Sequence, residues 1–210
     1  MPQSPRLRVL VVGASGVLGR AVVAELSPRC DIVSAGSKTG EIRIDITDPA
    51  SIEAGFKATG PLDAVACAAG AVNWHPLSAI KPAPLEKSSY GLGLTSKLMG
   101  QVNLALAARD HLNDMGSITL ITGILSDAPI ATGTSASMVN RAVEGFVMAA
   151  AIEMPRGIRI NVVSPSVFEE SMKEYGPFFR GFEPVTVARA ARAFSRSIEG
   201  LETGQTYRVF

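Results

Sequence analysis

Short runs of aliphatic and β-branched residues alternate along the chain with longer stretches in which apolar positions recur every three to four residues. That alternation predicts successive βαβ units around a parallel sheet. A strand covered by helices on both faces is apolar throughout, whereas each covering helix buries one face only. Leu7 to Val12 is such a continuous run and reads as the first strand. Val17 to Leu26 follows as a helix with Val22, Val23 and Leu26 on its buried side, ending near Pro28. Ile32 to Ala35 and the alternating Ile42 to Ile46 are the next two strands, and Asp48-Pro49 opens a helix with a capping aspartate before a proline at the first helical position. Asp63 to Cys67 is a fourth strand, Pro76 to Pro84 a proline-rich loop, and Ser89 to Leu112 a long helix that contains Gly91, Gly93 and Gly100. Ser117 to Thr122, Ile158 to Val163 and Gln205 to Phe210 complete the strands, with helices over Ser135 to Met154 and Pro184 to Ser197 between them. Right-handed crossovers then give an α/β fold: a doubly wound parallel sheet of about seven strands, of Rossmann type, with helices on both faces.

Composition narrows the picture without changing it. A chain of 210 residues with 47% hydrophobic and 19% charged positions is expected to form one globular domain over residues 1–210. Twenty basic residues against nineteen acidic ones leave a net charge of +1 with no dense basic block, which argues against a nucleic-acid partner. No apolar stretch approaches the ~18 residues of a membrane span. Between Arg8 and Gly13 only Val9-Leu10-Val11-Val12 is apolar, far short of the roughly 7 to 15 residues of a secretory core. The protein therefore reads as cytoplasmic. Cys30 and Cys67 lack a CxxC spacing and are too few for a disulfide framework or a zinc site, so both are expected to fill core space and no metal is expected.

The sharpest chemical signal is the turn Gly13, Ala14, Ser15, Gly16, Val17, Leu18 and Gly19, which leaves the first strand and opens the first helix. The first glycine permits a tight turn, the second lets backbone approach a pyrophosphate, and the third lets helix and strand pack closely. Free N–H groups and the helix dipole then hold the anion. Several further segments fall in order with this turn: Asp45-Ile46, Cys67-Ala68-Ala69-Gly70, Ser135-Ala136-Ser137, and Ile158-Arg159-Ile160-Asn161-Val162-Val163-Ser164-Pro165 with Ser166 where a glycine is usual. On these residues the chain resembles the short-chain dehydrogenase/reductase family over nearly its whole length. The resemblance implies a carbonyl/alcohol oxidoreductase that binds a nicotinamide dinucleotide through the glycine turn, Asp45, Ile46, Ala68, Ala69, Gly70, Pro165 and Val167. It also implies a homodimer or homotetramer joined through the Ser89 to Leu112 and Ser135 to Met154 helices, where Gly100, Ala105, Ala107, Ala142 and Gly145 permit close approach.

The family's catalytic side chains are missing. Its Tyr-x-x-x-Lys pair falls on Thr134 and Met138, its serine on Gly123 beside Thr122, and its asparagine on Lys97. A threonine hydroxyl titrates too high to exchange a proton near neutral pH, and a thioether supplies no positive charge. Lys97, Thr122 and Thr134 are the replacement candidates for the proton-transfer site, against their ordinary readings as a solvated helix lysine and satisfied strand-end and loop hydroxyls. His75, with a pKa suited to acid–base work, competes with a plain surface histidine. Trp74 reads as cover for an apolar patch, and Asn140 is divided between the cleft and solvent. After the second strand, Ser37 and Lys38 suit a ribose phosphate, with Arg20 in reach of the same region, and no carboxylate occurs until Glu41. NADP(H) is therefore favoured over NAD(H). Tyr175, Phe178, Phe179 and Phe182 lie where the family places its substrate lid, and they suggest an apolar small-molecule substrate or a hydrophobic partner. The rival reading is a module that binds the dinucleotide without turnover.

Overall fold

In the computed structural model, which describes residues 6–210, the chain forms β1 (Arg8–Val12), α1 (Val17–Leu26), β2 (Asp31–Gly36), β3 (Ile42–Arg43), α2 (Pro49–Thr59) and β4 (Leu62–Cys67). It continues through α3 (Gln101–His111), β5 (Leu112–Ile121), α4 (Thr134–Ala150), β6 (Arg159–Pro165), the single turn α5 (Met172–Tyr175), α6 (Val187–Glu199) and β7 (Thr206–Val209). The seven strands are all parallel, in the order β3-β2-β1-β4-β5-β6-β7. The direction of winding reverses between β1 and β4, and a crevice opens there beyond the strand ends.

Burial explains the two layers. One face of the sheet packs Leu10, Val65, Ile118 and Val162 against Phe56 of α2, Leu104 of α3 and Val143 of α4. The other face packs Val9, Val11 and Val163 against Val22 and Leu26 of α1 and Phe194 of α6. The strands expected from continuous apolar runs are therefore present because both faces are covered.

Three boundaries differ from expectation. Of the third strand only Ile42–Arg43 pairs with β2. The alternation to Ile46 persists as burial of Ile44 and Ile46, but the Asp45 N–H turns to Ser51 Oγ at 2.9 Å and leads the chain toward α2. β5 starts early at Leu112, and its register against β4 jumps between Leu62 and Ala64 through the segment that holds Met115 at φ 62°. The long helix is not uniform, since Gly93–Gly100 is wound as a wide π-helix before α3 begins. The glycines at its ends permit close contacts: a Cβ on Gly93 would lie 2.6 Å from Ser135 Oγ, and one on Gly100 3.0 Å from Ile46. Gly100 and the fully buried Ala105 thus pack within the chain's own core and are not presented to a second copy.

Gln101, fully buried at the start of α3, joins this region to the sheet. Its amide nitrogen donates to Lys97 O at 2.8 Å and Ile121 O at 2.9 Å, and its carbonyl accepts from Ile121 N at 2.8 Å. Gln101→Leu strands at least two buried backbone groups, and is expected to cost about 2–4 kcal/mol of unfolding free energy in urea titration. A loss under 1 kcal/mol would show that other groups or water satisfy Ile121.

Candidate functional site

The crevice at the switch point is a groove of about 540 Å³ at the C-terminal ends of β1, β2 and β4. Gly13, Ser15 and Gly16 form its floor, Ser37 and Lys38 its outer end, and Ala68 to Ala71 its inner wall. α1 points its N-terminus into the turn, with Gly16 at the cap, no side chain bonded there and no acidic residue in the first turn. The first N–H groups of the helix are thus left for an anion. A Cβ at Gly19 would come within 2.0 Å of Gly13 O, so glycine is required for the helix to sit against the turn. Ala14 and Leu18 face the core between α1 and α6, and Val17 is exposed at the helix start. They shape the turn from behind it. The residues present therefore fit a dinucleotide: an uncapped helix start, a turn of glycines and small side chains, and a long groove.

The charges around the groove are ordered. The Asp45 carboxylate accepts from Thr47 N at 2.9 Å and Thr47 Oγ1 at 2.7 Å, and these bonds hold it below the usual carboxylate range. Glu41 folds back onto β2, accepting from Ser34 Oγ at 2.9 Å and Ser34 N at 3.2 Å. Arg20 is spent on the carbonyl of Ser15. Lys38 is exposed at the rim.

A second cavity of about 220 Å³ adjoins the groove, the two sharing Gly70. Its walls are largely apolar, and its polar lining includes Lys97, Thr122 and Asn140. Lys97 is its only charged side chain. The π-helical winding carries it there: Ser96 Oγ accepts from Ala71 N at 3.1 Å, and a Cβ on Gly70 would meet Lys97 Cδ at 2.7 Å. Desolvation pushes the Lys97 pKa down to about 8. Burial holds the neighbouring Cys67 as a neutral thiol, its pKa pushed up to about 11.

The helix α4 meets the cleft through Ala136 and Asn140, four residues apart, opposite Gly123. The buried stripe runs on through Val143 and Val147, so the positions facing the cleft lie half a turn beyond Thr134 and Met138. Thr134 lies outside the cleft lining, its Oγ1 3.3 Å from the Tyr90 hydroxyl, and Met138 is 42% exposed. Asn140 is buried and makes one long bond among the described residues, from Nδ2 to Gly123 O at 3.5 Å. Thr122 does line the cleft, but its hydroxyl donates to Glu144 Oε1 at 3.2 Å and so offers a ligand only lone pairs. Glu144, buried behind it, also accepts from Ser126 Oγ at 2.5 Å and from Arg141 at 3.2 Å.

Of the residues singled out from sequence, the structure thus brings Lys97, Thr122, Pro165 and Val167 to the cleft. It brings Gly13, Ser15, Gly16, Ser37, Lys38, Asp45, Ile46, Ala68 and Ala69 to the groove, with Gly70 shared between the two. His75 sits on an exposed loop and lines neither. Trp74, read as cover for an apolar patch, lines the cleft, its ring 6.3 Å from that of Tyr175. Gly123 and Ala136, noted in the sequence only as parts of family-like segments, also line the cleft, although neither carries acid–base chemistry. Stepping back from Val147 and Val143 at helical period would have reached Asn140 and Ala136.

Sheet order and switch-point groove define the class, a doubly wound Rossmann domain of the dinucleotide-binding kind. The chain belongs to the short-chain dehydrogenase/reductase family: the family model described as enoyl-(acyl carrier protein) reductase matches residues 9–206. The structure is similar to that of the protein lin1944 from Listeria innocua, with 46% identity over 97% of this chain and 100% of that one and a TM-score of 0.93. It also resembles a small-chain dehydrogenase solved in complex with NADPH, at 23% identity over 98% and 97% of the two chains and a TM-score of 0.82. A third is 3-hydroxyacyl-CoA dehydrogenase type-2 from Mycobacterium avium, at 20% identity over 96% and 93% and a TM-score of 0.80. These last two likenesses are of fold. No curated protein matches the chain. Among the described residues no helix is long and apolar enough to cross a membrane.

Lys97 is expected to titrate near pH 8, apart from surface lysines near ~10.4. Reductive methylation with ¹³C-formaldehyde and NMR titration should give one early signal, absent in Lys97→Met. Between those pH values the unfolded chain binds the extra proton, so this residue makes the fold gain stability as pH rises. A Lys97 signal with an ordinary midpoint would mean that water reaches the ammonium freely.

Proposed function

We propose that this chain is an NADP(H)-dependent oxidoreductase for a small carbonyl/alcohol substrate, with Lys97 as proton donor. The observation that carries this reading is the lone ammonium in an apolar cleft that opens onto the dinucleotide groove at Gly70. When bound, the dinucleotide supplies the hydride. Lys97 gives its proton to the carbonyl oxygen as negative charge builds there, and takes it back from an alcohol in the reverse direction. A pKa of about 8 suits both directions near neutral pH. Asn140 Nδ2, held only by its long contact to Gly123, donates a hydrogen bond to the same oxygen. Thr122 Oγ1, fixed by Glu144, accepts from a donor in the cleft. The apolar wall of Val72, Leu125 and Val167 keeps water from the reacting atoms.

The preference for NADP(H) rests on Ser37 and Lys38 at the outer end of the groove and on Glu41 being bonded to Ser34. The NADPH held by a structural relative supports it. We place the protein in the cytoplasm, a setting that the two free thiols Cys30 and Cys67 fit. We further propose a homodimer through the outer face of α3 and α4, where Leu106 is 38%, Met148 68% and Ile152 (just beyond α4) 87% exposed. Sedimentation should then give twice the 22.0 kDa chain mass, and Met148→Glu should restore the monomer. A monomer in the unaltered protein removes this assignment.

One observation favours a module without turnover: Ala136, which faces the cleft from α4, carries no exchangeable proton, and Asn140 beside it does not titrate near neutral pH. Calorimetry and turnover separate the readings. NADPH should bind at least about tenfold more tightly than NADH, and Lys38→Ala should erase most of that difference. NADPH oxidation with a carbonyl panel should fall about 10²- to 10⁴-fold in Lys97→Met, with NADPH affinity retained, and should decline above about pH 8. Tight NADPH binding with no oxidation by any carbonyl would establish the module, and binding of neither dinucleotide to folded protein would remove both readings.

A further inference from the structure

The cleft does not end at its aromatic wall. A second chamber of about 270 Å³ lies beyond it, lined by Ile130, Thr132, Glu174 and Phe178, and it shares Trp74, Tyr175 and Phe179 with the cleft. The shared side chains form the partition between the two spaces. Trp74 and Tyr175 stand with ring centroids 6.3 Å apart and planes tilted by 44°, while Phe179 is buried and held edge-on by Phe182 at 5.4 Å. Phe178 remains 54% exposed at the outer rim. The partition is thus three aromatic rings, Trp74 on a loop, Tyr175 on a four-residue helical turn and the buried Phe179 just after it.

The charges along this path give it a direction. Lys97 is the one charged side chain at the inner end and Glu174 the one at the outer end, and every residue between them is uncharged. A carbonyl oxygen belongs beside the ammonium. A carboxylate at the far end of the ligand would face Glu174 and lose its water among aromatic rings, so the far end is uncharged.

We propose that the substrate is a carbonyl compound with an unbranched, uncharged hydrocarbon tail that threads between Trp74 and Tyr175 into the outer chamber. The inner placement of the carbonyl rests on the reductase reading above, whereas the tail channel stands on the two cavities. Trp74 is the only tryptophan of the chain, so its emission reports occupancy directly. The experiment titrates unliganded protein with straight-chain methyl ketones of increasing length and follows that emission, with NADPH oxidation measured separately. Each added methylene should tighten binding about fourfold until the chamber is full. Ile130→Phe, which fills the outer chamber, should stop the gain at shorter chains while leaving the shortest ketones unaffected. An ω-carboxylate on a long ketone should weaken binding at least about tenfold, and Glu174→Gln should recover part of that loss. Those results support the channel whether or not the ketones are reduced, and ketones that bind without reduction remove only the reductase reading. Affinity that does not depend on chain length, or an ω-carboxylate that binds as tightly as the plain ketone, overturns the channel even if reduction is observed.

Discussion

The geometry of the site depends on one buried carboxamide. β4 pairs with β5 only as far as Ala66 and Thr119, after which the strands part beside the cleft that Gly70 and Thr122 line. That parting leaves Ile121 with an N–H and a C=O facing away from β6 and no strand to receive them. Gln101 takes the place of the strand, accepting from the first and donating to the second. Its amide nitrogen also donates to Lys97 O, so the group that closes the sheet fixes the backbone of the cleft's only cation. A buried carboxamide that completes two backbone groups avoids roughly 1–3 kcal/mol for each one left bare, enough to decide the local conformation. The same contact fixes where β5 ends, and hence where Thr122 and Gly123 enter the cleft.

Charge is distributed so that Lys97 stands alone. Directly behind Thr122, Glu144 is enclosed by Ser126, Arg141 and Arg208, and Asp127 is shared between the same two arginines. Arg208 forms its ion pairs with Asp127 and with Glu144, so the last strand ties the back of the cleft to α4. Every carboxylate in this cluster is already paired, and none turns toward the ammonium. A half-buried cation with no counterion is held nearer to deprotonation than one in water, which is the condition for a lysine to exchange protons near neutral pH.

The sequence made the sheet legible because a parallel strand buried on both faces is apolar at every position, and Leu7 to Val12 or Ile158 to Val163 admits few other readings. The glycine turn was legible for a related reason: its requirements are local, and Gly13 to Gly19 meet them within seven residues. What escaped depends on contacts distant in sequence. The early end of β3 follows from Asp45 turning to Ser51 and Thr47, and the π-helical winding of Gly93 to Gly100 depends on Ser135 and Ile46 across the layer. The pattern match to a Tyr-x-x-x-Lys pair pointed to Thr134 and Met138, whereas the side chains of α4 that line the cleft are Ala136 and Asn140. The periodicity of its own buried residues, Val143 and Val147, runs back to those two positions. Glycine and alanine at Gly123 and Ala136 gave no chemical signal of their own.

Those silent positions nevertheless decide what the cleft can hold. Small side chains at Gly123 and Ala136, with a short amide at Asn140, remove bulk and acid–base chemistry from α4 together. The space they leave is bounded on the opposite side by Trp74, Tyr175 and Phe179, large rings carried on loops and on a four-residue helix. Under the proposed reading, proton transfer falls to the π-helical segment before α3, where the backbone of Lys97 is held by a glutamine that also completes the sheet. A lysine whose backbone is anchored to the sheet and an aromatic wall borne on a loop and a four-residue helix separate two demands: reacting atoms need fixed geometry, while the rest of a ligand needs room to enter. Coupling the Lys97 backbone to the core through Gln101 lets the aromatic wall vary without moving the ammonium.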